Sequence, residues 1–161
     1  MATKYVVSNL DATACELRWP ALEAAAVDAF RDARFMPGFD VGSSLRHTRE
    51  AFAEPLRAAY RHVVVETDEK ILGAAFRVPV TTVGGATEAD PGWFFLARDI
   101  SRTERVQIAD EIVGQSHRLM RDAGFLRIAT NMGTRDGAAY LRRRHGYQPV
   151  PGEENRWTCD L

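Results

Sequence analysis

Residues 62–80, HVVVETDEKILGAAFRVPV, hold two β-rich runs joined by four polar residues, TDEK. Runs of this composition, broken once by a polar turn, read as a β-hairpin. So short a connection forces its two strands to be antiparallel neighbours, which commits the chain to a sheet with antiparallel pairing. Every other element has to be read as something that extends or covers that sheet.

On the N-terminal side, KYVVSNL (4–10) reads as a short strand. WPALEAAAVDAFRDARF (19–35) places Leu22, Ala25, Ala26, Ala29 and Phe30 on one helical stripe, with Pro20 suited to the first turn. Pro37 and Gly38 break it. A second helix is expected from about Ser44, with Leu45, Phe52, Leu56 and Tyr60 apolar, and Pro55 kinking or splitting it.

On the C-terminal side, TTVGGATEADPG (81–92) has loop composition and WFFLA (93–97) reads as a strand. Ser101 and Glu104 have capping-box spacing, which fixes a helix start. Val106, Ala109, Ile112, Val113, Leu119 and Met120 give that helix a wide apolar face, ended by Gly124. FLRIAT (125–130) is a strand, DGAAYLRRRH (136–145) a helix, and GYQPV with NRWTCDL a final antiparallel pair. The order is β α α β β β α β α β β: an α/β fold, its mixed sheet flanked by helices on both faces.

Length and charge narrow the class. The chain's 161 residues at 45% hydrophobic content are expected to form one domain, 1–161. A formal net charge of -1 argues against a broad nucleic-acid surface. Residues 1–10 lack a basic region followed by an apolar run, and no apolar segment approaches the ~20 residues of a membrane span. Cys15 and Cys159 have no metal-binding spacing and read as reduced thiols, so the expectation is a cytoplasmic protein without a metal site.

The stretch FFLARDISRTERVQIADEIV (94–113) is a strand opening into a capped helix, a usual place for a phosphate. Such turns are usually rich in glycine. This one has none before Gly114 and carries Arg98, Arg102 and Arg105 instead.

Three stretches, in this order, resemble the GCN5-related N-acetyltransferase (GNAT) family over nearly the whole chain. VVVETDEKILGAAF looks like the family's second and third strands, and residues 94–113 lie where the family has its acyl-CoA pyrophosphate loop. FLRIATNMGTRDGAAYLRRRHGYQPV resembles its strand, asparagine, helix and Gly-aromatic pair, with Asn131 and Gly146-Tyr147 as the punctuation. The resemblance implies a GNAT-like, mostly antiparallel sheet and a donor, acetyl-CoA or another acyl-CoA, held where two strands splay. It implies further that the acyl carbonyl is polarised by backbone N–H near Leu96 and Ala97, and that a small-molecule amine attacks directly.

The family's loop reads Arg or Gln, two residues, Gly, one residue, then Gly or Ala. Arg102 matches, Thr103 and Val106 fall on unconstrained positions, and Arg105 and Gln107 replace the two small residues. The family's general-acid tyrosine stands four residues before the Gly-aromatic pair. Arg142 occupies that position, able to meet thiolate charge or donor phosphate. Tyr140 lies about 200° away on the helix and is the only acid nearby. Glu66 is the candidate base, on the same strand side as His62. Phe35, Phe39 and Met36 stand where the family's early helices close over the acceptor, and Trp93 alternates with Phe94 beside the donor.

Two other readings stay open. Loss of both small loop residues and of the tyrosine fits a non-catalytic binding or assembly module. Retained transfer with another donor, an acyl-carrier protein or an aminoacyl-tRNA, would give the arginines a macromolecule to meet; a homodimer is compatible with each.

Overall fold

The computed structural model describes residues 4–161, so residues 1–3, part of the stretch read for a leader, lie outside it. Strand β1 is Val6–Leu10. Helices α1 (Ala12–Leu17) and α2 (Trp19–Ala29) follow, the first capped by Asp11, which accepts Ala14 N–H at 2.8 Å. Pro20 sits in the first turn of α2, and Leu22 and Ala26 are buried, as the stripe requires.

The next helix differs from its sequence expectation at both ends. Helix α3 (Val41–Glu50) starts before Ser44 because the Asp40 carboxylate accepts Gly42 N–H at 3.0 Å. It stops well short of Tyr60. Pro55, which has no N–H to donate, leads into a single 3-10 turn at Leu56–Ala59, and Tyr60 opens strand β2 (Tyr60–Glu66). Strand β3 (Ile71–Pro79) completes the hairpin.

The expected loop at 81–92 contains a short strand, β4 (Glu88–Ala89), followed by β5 (Phe94–Leu96). Helix α4 (Arg102–Asp122), strand β6 (Arg127–Asn131), helix α5 (Arg135–His145) and strands β7 (Gln148–Pro149) and β8 (Arg156–Asp160) finish the chain. Gly146 ends α5 at φ 72°, the left-handed position that glycine takes at least cost.

The strands form two sheets, in the orders β1-β2-β3-β5 and β4-β6-β8-β7. Among the described residues only β4 with β6 is parallel. Trp19, Leu22 and Ala26 pack with Val64, Ala74, Phe76 and Phe95 on one face. Ile108, Ile112 and Met120 of α4 pack with Val63, Val65, Leu72 and Ile128 on the other. The α/β fold with helices on both faces is therefore as the sequence implies. Among the described residues no helix is long and apolar enough to cross a membrane.

One irregularity positions everything that follows. Strands β4 and β5 are halves of one extended segment: Glu88 and Ala89 pair with β6, whereas residues from Gly92 onward pair with β3. The segment leaves β6 at Asp90. Beside the departure point β3 carries a bulge, since Arg61 pairs with Val78 but Val63 with Ala75, which sets both Phe76 and Arg77 against His62. Arg77 has φ 55°, and its N–H donates to His62 Nδ1 at 3.3 Å.

Gly92 permits this contact. A Cβ there would lie 2.4 Å from Phe76 O and 3.1 Å from Arg77 Cβ. Gly92→Ala should therefore lower stability by about 1–3 kcal/mol, as overpacking does. Urea titration checks it, and an unchanged midpoint would show that the backbones do not approach so closely.

Candidate active site

Segment 88–96 and β6 run parallel and lead at their C-terminal ends into α4 and α5 respectively. Both helix N-termini consequently stand at one end of the gap that opens beyond Ala89 and Ile128. The carboxyl end of parallel strands, where neighbours diverge, is the usual ligand site of α/β sheets. Phe76 N–H donates to Trp93 O and Ala97 N–H to Leu72 O, both at 2.9 Å, so residues 93 and 97 turn their main-chain groups towards β3. Alternation along the strand then turns those of Phe94 and Leu96 the other way, into the gap. Of the two residues expected to polarise a carbonyl, Leu96 faces the gap and the amide of Ala97 is already engaged.

The turn into α4 is closed by its own side chains. Ser101 Oγ accepts Glu104 N–H at 3.2 Å, and Glu104 Oε2 accepts Ser101 N–H at 2.9 Å, the expected capping box. Arg105 folds back, donating to Ala97 O at 2.9 Å and Arg98 O at 3.4 Å. Arg98 pairs with Asp32 and, more distantly, Asp28, tying the turn to the end of α2. Lys70 donates to Asp99 at 2.8 Å and holds that carboxyl below its usual range. Arg102 and Thr103 are exposed, and neither their side chains nor their amides have a partner among the described residues. Val106 is half-buried; Gln107 and Asn131 are exposed, Asn131 ending β6 opposite Arg156.

On α5, Tyr140 and Arg142 point differently, as their helical offset requires. Arg142 is exposed with no partner among the described residues. The Tyr140 hydroxyl donates to Asp110 Oδ1 of α4 at 2.6 Å and lies 2.9 Å from His145 Nε2. Arg144 pairs with the same carboxylate. Burial and then the Asp110 hydrogen bond push the Tyr140 pKa up, so the phenol keeps its proton. Burial alone would raise Asp110, but Arg144 and Tyr140 hold it below the usual carboxylate range. His117, two turns further along α4, lies 2.9 Å from the Tyr147 hydroxyl, and burial lowers it to about 4.

Glu66 does share a strand side with His62, but it lies away from the gap. Both its oxygens accept from Arg18, one at 2.8 Å, and it lines a recess of about 410 Å³ with Lys70, Ala97 and Asp99 on the α2 face. It stands on β2, two strands from β5 and thus roughly 10 Å away at ordinary strand spacing.

A different carboxylate stands at the opening. Asp90 is the first residue past the β4–β6 pairing; its side chain is 63% exposed, and partial desolvation by its surroundings raises its pKa against the opposing pull of Arg156, Thr130 and Arg77. The Arg156 contact is long, 3.8 Å, and the Thr130 hydroxyl donates to Pro91 O at 3.2 Å. The sequence places Asp90 in the loop 81–92, and the signal it offers there is the Asp-Pro-Gly stretch just before the strand WFFLA.

The expected aromatic residues do come together. Phe35 and Phe39 stack with centroids 5.0 Å apart, and Phe30 bridges to Phe35 at 5.4 Å and to Trp93 at 5.5 Å. The 35–39 segment docks on the end of β6: Met36 N–H donates to Gly133 O at 2.8 Å, and Phe35 bridges to Thr134. Trp93 Nε1 donates to Thr48 Oγ1 at 3.1 Å, which brings α3 over the same side.

No family model matches this chain, and no curated protein matches it in sequence. Solved structures do match. A PaiA N-acetyltransferase from Thermoplasma acidophilum, in complex with coenzyme A, is similar with a TM-score of 0.61 at 10% identity over 99% of this chain and 100% of that one. A GNAT family acetyltransferase from Brucella melitensis, in complex with acetyl-CoA, gives 0.63 at 14% identity over 98% and 88%. The C-terminal condensation domain of Ebony, in complex with beta-alanyl-dopamine, gives 0.66 at 12% identity over 98% of each chain. The chain has the GNAT fold.

Proposed function

We propose that this protein is an N-acyltransferase that moves an acyl group, acetyl in the simplest case, from a CoA thioester to a primary amine. The observation that carries this reading is the gap between β5 and β6, with the main-chain groups of Phe94 and Leu96 facing into it. A pantetheine arm has amides to pair with such a strand edge, and a thioester carbonyl laid there meets an N–H where its negative charge develops. Solved neighbours that hold CoA and acetyl-CoA support the same donor class.

The amine nitrogen attacks the thioester carbon, the new C–N bond forms, and the C–S bond breaks with its electron pair on sulfur. The ammonium proton passes to Asp90, directly or through one water, and solvent returns a proton to the thiolate. A base that is raised above the ordinary carboxylate range is the better acceptor for that proton. Phe35, Phe39 and Trp93 provide apolar walls, which favours an amine with an aromatic body; the beta-alanyl-dopamine held by one neighbour supports such an acceptor.

Tyr140 takes a positioning role between α4 and α5 in this scheme. Tyr140→Phe should cost about 1.5–3 kcal/mol, the range for a hydrogen bond to a charged group, and change kcat less than threefold at about neutral pH. A large loss of kcat with unchanged stability would return Tyr140 to the chemistry as the acid.

The direct test is calorimetry against CoA and acetyl-CoA, with mass detection of acetylated amines and thiol release across a panel of aromatic and aliphatic amines. Binding near one equivalent and amine-dependent thiol release are expected. No heat at millimolar donor and no product would leave the binding-module reading in its place.

A further inference from the structure

Resting on the transferase reading, we infer that Arg77 anchors a carboxylate on the acceptor, so that the amine accepted belongs to an aromatic amino acid rather than to a simple arylalkylamine.

Arg77 and Asp90 share one face of the sheet. Tyr60 alternates with His62 and Val64 along β2, and these pack with Phe76 and Trp93 on the α2 side. The Arg77 guanidinium lies over the Tyr60 ring, 5.3 Å from its centroid, and so points to that side. Ala89 packs in the opposite cluster with Ile108 and Ile128, which turns its neighbour Asp90 to the α2 side as well. Between the two stands Gly92, whose N–H donates to Arg77 O at 3.3 Å and whose missing Cβ leaves room for the Arg77 stem.

The chain makes no use of the Arg77 charge. Arg156, on the β8 side of the opening, is neutralised among three carboxylates, 3.7 Å from Glu88, 3.8 Å from Asp90 and 3.7 Å from Glu153. Arg77 has no carboxylate within ion-pair reach among the described residues, and its Nε is buried without an acceptor. It is also held at φ 55°, a conformation that a residue with a side chain adopts at a cost. A cation meant only for solvent needs neither a packed stem nor a strained backbone. Here both hold the head in one place, with its Nη groups left for a ligand.

Arg77 pulls the Asp90 pKa down, so the two charges sense each other, yet no ion pair joins them. An α-amino acid carries the complementary pair. Its amino group goes to Asp90 and its carboxylate to the guanidinium, two oxygens against two N–H donors. Its ring goes to the apolar wall of Trp93, Phe35 and Phe39. Arg77 takes no part in the bond changes: the C–N bond forms, the C–S bond breaks with its electron pair on sulfur, and the acceptor carboxylate stays ionised throughout.

The test is acetyl transfer from acetyl-CoA to L-phenylalanine and to phenethylamine, which differ only in the carboxylate. Wild-type kcat/KM should favour phenylalanine by about 10–100-fold, the range for a hydrogen bond to a charged group, with most of the difference in KM. Arg77→Met should lower kcat/KM for phenylalanine by about that factor and move phenethylamine less than about threefold. Arg77→Lys should fall between, since an ammonium keeps the charge but lacks the fork. An equal fall for both acceptors in folded variant protein, or equal use of both by the wild type, would overturn the inference. The wild-type comparison stands even where Arg77→Met fails to fold. Transfer to phenethylamine or another amine but not to phenylalanine would overturn the inference and leave the transferase reading intact. No transfer to any amine and no donor binding would overturn both.

Discussion

Asp90→Asn should lower kcat for acyl transfer by about 10²–10⁴-fold and leave CoA affinity within about twofold, the pattern of a lost general base. Asn keeps the side chain's size and its ability to meet Arg156 and Thr130, so the split segment retains its neighbours. Only the proton acceptor is lost. The wild-type protein should gain activity with rising pH through a pKa above the usual carboxylate value, because the partial desolvation of Asp90 disfavours its charged form. In the variant that limb should disappear. Glu66→Gln offers the contrast: Glu66 is committed to Arg18 and two strands distant, so kcat should change less than about threefold. A severe Glu66→Gln with a mild Asp90→Asn would reverse the assignment and move the chemistry to the recess on the α2 face.

The sheet was legible in the sequence because its signals are local. The two β-rich runs of 62–80 with their polar turn, the Ser101–Glu104 cap and the terminal glycine-aromatic pair each depend on neighbours within a few residues. The splitting of segment 88–96 is different in kind. Glu88 and Ala89 are too short a run to show a period, and their pairing with Arg127 and Ile128 is a contact across nearly forty positions. Asp90 acquires meaning only once that pairing ends beside it. The same holds for the arginines of the α4 turn. Their spacing predicts an exposed basic turn, but Asp28 and Asp32, which hold Arg98, lie at the end of α2. Helical rotation correctly separated Tyr140 from Arg142, since that argument too is local. Finding Asp110 as the partner of Tyr140 required two helices to be packed together.

Folding stability should fall steeply between pH 6.5 and pH 4, and His62 should account for much of the loss. The side chain is fully buried, its Nδ1 accepts the Arg77 N–H left unpaired by the bulge, and its ring packs against Phe52 and Phe76. Burial first, then Arg77 and Arg61, lower its pKa from 6.5 to about 4, against a weaker opposing pull from Asp11. A depressed histidine stabilises the fold fully above its unfolded pKa, and that contribution drains away as pH falls towards the folded value. The difference amounts to about 3 kcal/mol as an order of magnitude. His117, lowered to about 4 beside Tyr147, drains over the same window. Protonation of His62 would also remove the acceptor for Arg77 N–H, so the bulge should loosen first and hydrogen exchange at Gly92 and Phe76 should accelerate ahead of global unfolding. His62→Asn retains an acceptor near the Nδ1 position without a titrating ring. It should be less stable than wild type at pH 7.5, from lost packing, yet lose less on acidification. Urea midpoints measured from pH 7.5 to pH 4 decide the matter: parallel curves for the two proteins would mean that His62 does not carry the acid sensitivity of the fold.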